Sequence, residues 1–298
     1  RMEITTIEKV ISECAKNGLK EIIPSTMGEP LIFKHMERII ELCHEYKIKL
    51  NLTTNGTFPR YGAQRWAELI VPVGSDVKIS WNGTDCTSQA LVMLGNEFDQ
   101  GLEKLRTFLQ VRDKHAAAGG NYCSVTLQMT FMEMNLNQAS GVVELAISEG
   151  VDRVKGHHLW AHFDEIKNQD MRRRKDAIDR WNAIARECSE IADSNPLPSG
   201  KRIELANFYE LDPEHGGELH PAATCPFLGE EAWVNHEGRF DPCCSPDELR
   251  KTLGYFGNVG DGGLLPIWNS QEYKMLLNVY LENDVCRNCN MRILPGIE

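Results

Sequence analysis

The sequence predicts an α/β fold: a partial (β/α)6 TIM-type barrel lacking its first strand in this chain, followed by a small cysteine-rich α+β domain. Three observations carry that reading. Short apolar runs alternate with helix-period segments from residue 19 to residue 160, and such alternation implies parallel strands joined by right-handed crossovers. Polar residues gather at the ends of successive runs. Half of the ten cysteines fall in the last quarter of the 298-residue chain, at spacings suited to metal ligands. The boundaries follow: a barrel over 1–162, a connecting helical and extended segment over 163–220, and the cysteine-rich domain over 221–298.

The chain opens on a helical pattern (Ile7, Val10, Ile11, Cys14) with no strand before it, and reads as a chain whose beginning is missing. Leu19 to Pro24 is the first strand, ending in Ser25-Thr26-Met27-Gly28-Glu29-Pro30. Ile32, Met36, Ile39, Ile40 and Cys43 mark the helix that follows. Lys49 to Thr54 is a strand stopped by Asn55-Gly56. After a short helix at Trp66, Leu69 and Ile70 comes a third strand, Val77 to Gly83. Phe98, Leu102, Leu105, Phe108 and Leu109 form an amphipathic helix closed near Gly119-Gly120. Ser124 to Phe131 and Val151 to Trp160 are the fourth and fifth strands, separated by a helix over Val142 to Ser148. A helix from about Asp170 to Asp193 leaves the repeat, and its basic run Arg172-Arg173-Arg174-Lys175 reads as a solvated face.

In such sheets function collects at the strand C-termini, where loops vary above a rigid scaffold. Gly28-Glu29-Pro30, Thr53-Thr54-Asn55, Ser80, Asn82, Gln128, Asn135 and His157-His158 fall there. Gly28 allows close approach to the backbone, Pro30 fixes an extended path, and Glu29 offers a carboxylate to an ammonium group. Taken singly, each is better explained as a turn former or strand-end cap. Alternation along Val154 to Trp160 sends one imidazole inward and one outward, with Lys155 on the His157 side. A hydrogen-bonding structural histidine is the favoured role for the inward one. Cys14 and Cys188 read as core residues.

Cys225 is followed by twelve residues, Gly238, four residues and Cys243-Cys244; Cys286 and Cys289 then close a Cys-x2-Cys. Gly238 sits in a tight turn between two short extended runs, which carries Cys225 toward Cys243. Four converging thiolates satisfy tetrahedral zinc or an iron–sulfur cubane, and the residues alone do not separate the two metals. A disulfide pair or inert thiols explain the spacing less well.

Composition excludes other classes. A net charge of −11 argues against a phosphate-backbone binder, so no nucleic-acid partner is expected. No apolar run reaches the length of a membrane span and no signal peptide opens the chain. Ten cysteines without a secretion signal fit a reducing, cytoplasmic setting.

Gly28-Glu29-Pro30, Leu52-Thr53-Thr54-Asn55-Gly56 and Ile79-Ser80-Trp81-Asn82-Gly83 together resemble a radical S-adenosylmethionine enzyme. The cysteine array, with Gly257-Asn258-Val259 and Ile267-Trp268, resembles that superfamily's C-terminal auxiliary-cluster extension, the SPASM or shorter twitch domain. The resemblance implies S-adenosylmethionine as cofactor, its methionine ammonium held by Gly28, Glu29 and Pro30. Thr54, Asn55 and Ser80 would line its methionine and ribose portions, and Gln128 and Asn135 its ribose and adenine side. Cys225, Cys243, Cys286 and Cys289 would hold one auxiliary [4Fe–4S] cluster, with Cys244 as a substitute for Cys243.

It implies further that a 5′-deoxyadenosyl radical abstracts hydrogen from a peptide or small-molecule substrate, with electrons from a donor such as flavodoxin or ferredoxin. Two departures stand out. Met27 replaces the first of the family's two glycines, and the defining Cys-x3-Cys-x2-Cys appears nowhere among the ten cysteines. The radical-generating cluster is therefore expected on a missing N-terminal segment. The alternative is a non-catalytic iron–sulfur or zinc-binding module fused to an α/β domain.

Overall fold

A computed structural model describes residues 1–24, 28–93, 97–161, 163–214, 221–289 and 291–293. Ser25, Thr26 and Met27 of the expected loop lie outside the described residues. The chain divides into two compact units, one of 21–40 and 49–218, the other of 1–20, 41–48 and 219–298.

The first unit is built on six parallel strands in chain order: β1 (Glu21–Ile22), β2 (Lys49–Thr54), β3 (Gly74–Ser80), β4 (Ser124–Phe131), β5 (Arg153–His158) and β6 (Glu204–Ala206). Five of these are the strands expected from the apolar runs, as parallel neighbours, in a partial TIM-type barrel. The sixth lies in the segment expected only to connect. It pairs with β5 through Arg153–Glu204, Val154–Leu205 and Lys155–Ala206. Its three residues carry no apolar run, so pairing rather than periodicity defines it.

Alternation gives the sheet two unlike faces. Leu50, Leu52, Val77, Val125, Leu127 and Val154 are all fully buried on one face. That apolar face is what helices cover in a barrel of parallel strands. Outside the strands, α3 (Gly62–Ile70) packs on α5 (Phe98–Ala117), and α6 (Ala139–Glu149) on α7 (Lys175–Ser194). A short helix, α4 (Cys86–Val92), is capped by Asp85, whose carboxylate accepts from the amides of Thr87 and Ser88. The basic run is not simply solvated: Arg172 is turned inward onto the Asp170 carboxylate, and Arg174 pairs with Glu133 and Asp176.

The second unit joins α1 (Ile4–Ala15) to the C-terminal segment; the division between units falls inside α2 (Met36–Tyr46). Cys14 is buried in one core with Phe240, Leu253, Val259, Leu264, Ile267, Tyr273 and Leu276. The Glu13 carboxylate accepts from the amides of Leu264 and Leu265, at 2.9 and 3.2 Å, capping α9 (Leu264–Trp268). A hairpin of β7 (Trp233–Val234) and β8 (Phe240–Asp241) turns at Gly238, whose φ of +82° suits glycine. The short helices α8 (Asp247–Arg250), α10 (Gln271–Val279) and α11 (Asp284–Arg287) complete the α+β domain. Among the described residues no helix is long and apolar enough to cross a membrane.

Candidate cofactor site and cysteine centre

Glu29 is the anchor of the strand-end site. It opens the 3-10 turn Pro30–Ile32, and its Oε1 accepts from the Leu31 amide at 3.0 Å. Its Oε2 accepts from Thr54 Oγ1 at 2.9 Å and from the Asn55 amide at 2.7 Å. A carboxylate offers about four acceptor positions. Three protein donors therefore leave room for one more, such as an ammonium. Gly28 beside it is exposed and Pro30 is buried. Thr54, itself buried, accepts at Oγ1 from the Gly56 amide, while Asn55 Oδ1 accepts from both the amide and hydroxyl of Thr57. The structure thus brings Glu29, Thr54 and Asn55 together, with the Thr54 hydroxyl spent on Glu29.

Ser80 and Gln128 are register partners, and Gln128 is in turn the partner of Lys155. Pleating points these three to one face, in the row that closes β3, one row before Thr130 and His157. The row below holds Lys78, Thr126, Arg153 and Glu204. There Thr126 Oγ1 donates to Asp76 Oδ1 at 2.9 Å, Arg153 pairs with Asp76 at 3.2 Å and with Glu204 at 2.8 Å, and Lys78 donates to Asn51. Burial raises the Asp76 carboxyl above its ordinary range, against the Thr126 bond and nearby cations. Burial also lowers the Lys78 ammonium. This charged floor of Asp76, Lys78, Arg153 and Lys155 went largely unread in the sequence. Its signal was available: polar residues at alternate positions of three strands.

His157 and Lys155 share that face, as alternation implied. Burial, then Lys155 and Lys78, push the His157 imidazole down to about 4. His158 points the other way, buried against Phe131 and Trp181 with ring centroids 5.3 and 4.6 Å away, and burial pushes it down to about 3. Asn135 is placed differently from Gln128. It is fully buried, with Oδ1 accepting from the Met132 amide and Nδ2 donating to the Thr130 carbonyl, both at 3.0 Å. Asn82 accepts from the Thr130 amide at 3.0 Å. These two asparagines hold the end of β4.

In the second unit Cys225, Cys243, Cys244, Cys286 and Cys289 are all free thiols, and Cys286 is buried. Burial pushes the Cys286 thiol up to about 12, with Cys243, Cys225 and Cys289 adding to it. Cys289 is raised by burial and by Cys225 and Cys243. Cys244 is exposed, whereas Cys243 is half-buried with its Sγ 3.3 Å from Ser245 Oγ. Cys14 shares its core with Cys286, whereas Cys43, Cys123 and Cys188 are buried in other places; burial raises all four thiols.

A mononuclear zinc needs thiolates on a tetrahedron with Zn–S about 2.3 Å. Among the described residues no three thiol, imidazole or carboxylate groups stand that close around one point. The donor set itself, thiols that raise one another at Cys286 and Cys289, is the chemistry an iron–sulfide cage takes.

The first unit is thus a partial parallel barrel with polar residues at its strand ends, and the second holds the cysteine-rich segment. Residues 225–290 match the model of the SPASM iron–sulfur cluster-binding domain. Streptococcus suis SuiB bound to S-adenosylmethionine superposes with a TM-score of 0.64 at 15% identity, over 96% of this chain and 64% of SuiB. SuiB bound to precursor peptide SuiA gives 0.64 and 15%, over 96% and 62%. Native anSMEcpe with bound AdoMet and the Cp18Cys peptide gives 0.63 and 13%, over 98% of this chain and 81% of that one.

No curated protein sequence matches the chain. The chain spans just under two thirds of SuiB. The chain shares its fold with SuiB and anSMEcpe, and its residues 225–290 are similar to the SPASM domain.

Proposed function

We propose that this chain is the core of a radical S-adenosylmethionine enzyme that modifies a peptide. The observation that carries the reading is Glu29: a half-buried carboxylate, fixed by Leu31, Thr54 and Asn55 at adjoining strand ends, with acceptor capacity left for one ammonium. Glu29 would hold the cofactor's ammonium, while Ser80, Gln128 and Lys155 line the mouth beside it. Cys225, Cys243, Cys286 and Cys289 would hold one auxiliary [4Fe–4S] cluster. S-adenosylmethionine, together with a separate radical-generating cluster, would supply homolytic chemistry, the abstraction of hydrogen from an unactivated carbon.

The protein's own part is to orient and to exclude water. His157, kept neutral by burial and by Lys155 and Lys78, offers an uncharged ring to that mouth. A peptide is favoured as substrate because SuiB and anSMEcpe, which share the fold, are peptide-bound in their own structures. The Cys-x3-Cys-x2-Cys of the radical-generating cluster is not among these ten cysteines. That motif would come from chain outside this sequence, and a small electron-transfer protein would be the donor.

The test is anaerobic reconstitution of the protein from its whole reading frame, followed by dithionite. Brown protein that binds S-adenosylmethionine and releases 5′-deoxyadenosine is the expected result. Colourless, zinc-loaded protein that does not bind the cofactor overturns it.

A further inference from the structure

Arg292 lies two residues beyond the matched SPASM segment and is buried. Its guanidinium makes no ion pair with a carboxylate among the described residues. Instead Nε donates to the Ala223 carbonyl at 2.8 Å, Nη1 to the Arg287 carbonyl at 2.9 Å and Nη2 to the Pro221 carbonyl at 3.3 Å. Its own amide reaches the Cys289 carbonyl at 3.4 Å. Ala223 lies two residues before Cys225, and Arg287 directly follows Cys286. One side chain therefore ties the segment that carries Cys225 to the one that carries Cys286 and Cys289. The neighbouring bridge, Thr224 to Ile293, with amide–carbonyl bonds of 2.8 and 3.0 Å, aligns the same two segments.

A buried cation held only by carbonyl dipoles is costly unless an anion stands near it. The segments that Arg292 joins carry Cys225, Cys286 and Cys289, so a cluster held by their thiolates would supply that anion. A [4Fe–4S] core with four thiolates is a net anion and becomes more negative on reduction, and net charge and bonding around the sulfurs set its potential. We propose that Arg292 is the positioning residue of the auxiliary cluster: it clamps the two ligand-bearing segments together and, as a fixed cation, favours the reduced state.

This inference rests on the reading of the four cysteines as cluster ligands. The test compares wild type, R292M and R292K after anaerobic reconstitution of the full chain. It measures iron and sulfide per protein, and the cluster's potential by redox titration followed by EPR. R292M is expected to shift the reduced-to-oxidised ratio at a fixed potential about tenfold toward oxidised, which for one electron is about 59 mV more negative. R292K, with the charge but not the fork, should bind less iron yet keep the wild-type potential.

An R292M protein with full iron and unchanged potential overturns the proposal, as does an R292K protein shifted as far as R292M. Should R292M fail to fold by circular dichroism, R292Q, which keeps one amide donor, gives the same reading. Wild-type chain that takes up no iron sinks the cluster assignment itself, which is a different failure.

Discussion

The backbone amide of Asn55 donates to Glu29 Oε2 at 2.7 Å, so the loop after β1 and the end of β2 share one carboxylate. Replacing that carboxylate therefore has two effects. Glu29→Ala strands the Asn55 and Leu31 amides and the Thr54 hydroxyl, and hydrogen bonds to charged groups contribute about 1.5–3 kcal/mol each. Chemical denaturation should show a loss of about 2–4 kcal/mol, with Thr54→Val losing about 1 kcal/mol. S-adenosylmethionine binding should weaken in Glu29→Ala beyond what Thr54→Val produces. Equal binding in both variants would remove Glu29 from the cofactor site.

Gly156 is the partner of Met129 on β4, and a Cβ placed on it would lie 1.8 Å from the Phe131 ring. Gly156→Ala should destabilise the barrel unit by about 3 kcal/mol, the upper range for overpacking. Phe131→Leu in the same chain should recover part of that loss, because it removes the ring the new methyl meets. A double-mutant cycle showing simple additivity would contradict the contact.

Both barrel histidines are held neutral. Their folded values, about 4 for His157 and about 3 for His158, lie below the unfolded value of about 6.5. The unfolded chain takes up these protons first as pH falls. Stability from this source is complete above pH 6.5 and is lost progressively between there and about 3. At about 1.4 kcal/mol per pH unit the loss reaches several kcal/mol. His158→Phe, which keeps the aromatic packing on Phe131 and Trp181, should flatten the fall between pH 6.5 and 4. A urea midpoint with the wild-type pH dependence would show that His158 is not its source.

Serine substitution separates the adjacent thiols. Cys243→Ser, Cys225→Ser, Cys286→Ser and Cys289→Ser should each lower reconstituted iron, while Cys244→Ser should leave it near wild type, since Cys244 is the exposed one. Iron and sulfide assays after anaerobic desalting make the measurement. The reverse outcome at 243 and 244 would exchange their roles.

Much of this molecule was legible in local pattern. Apolar runs such as Leu50, Leu52 and Val77, Ile79 announced parallel strands because buried strands must be apolar on the covered face. The turn at Gly238 was readable because a tight turn at positive φ restricts the residue. The spacing of Cys225, Cys243, Cys286 and Cys289 pointed to ligands because thiolates at such spacings suit metals.

Other features depend on partners far apart in sequence, and only the tertiary structure supplies those. Glu204 becomes a strand residue through Arg153, 51 positions away by number, and Asp76 meets Thr126 and Arg153 only after three strands align. Asn135 bonds to the Thr130 and Met132 backbone, contacts that hold the chain end of β4 and that no local pattern announced. Arg292 carries no local signal at all. Its meaning arises when Pro221, Ala223 and Arg287 present three carbonyls to one guanidinium, an arrangement set by packing rather than by periodicity.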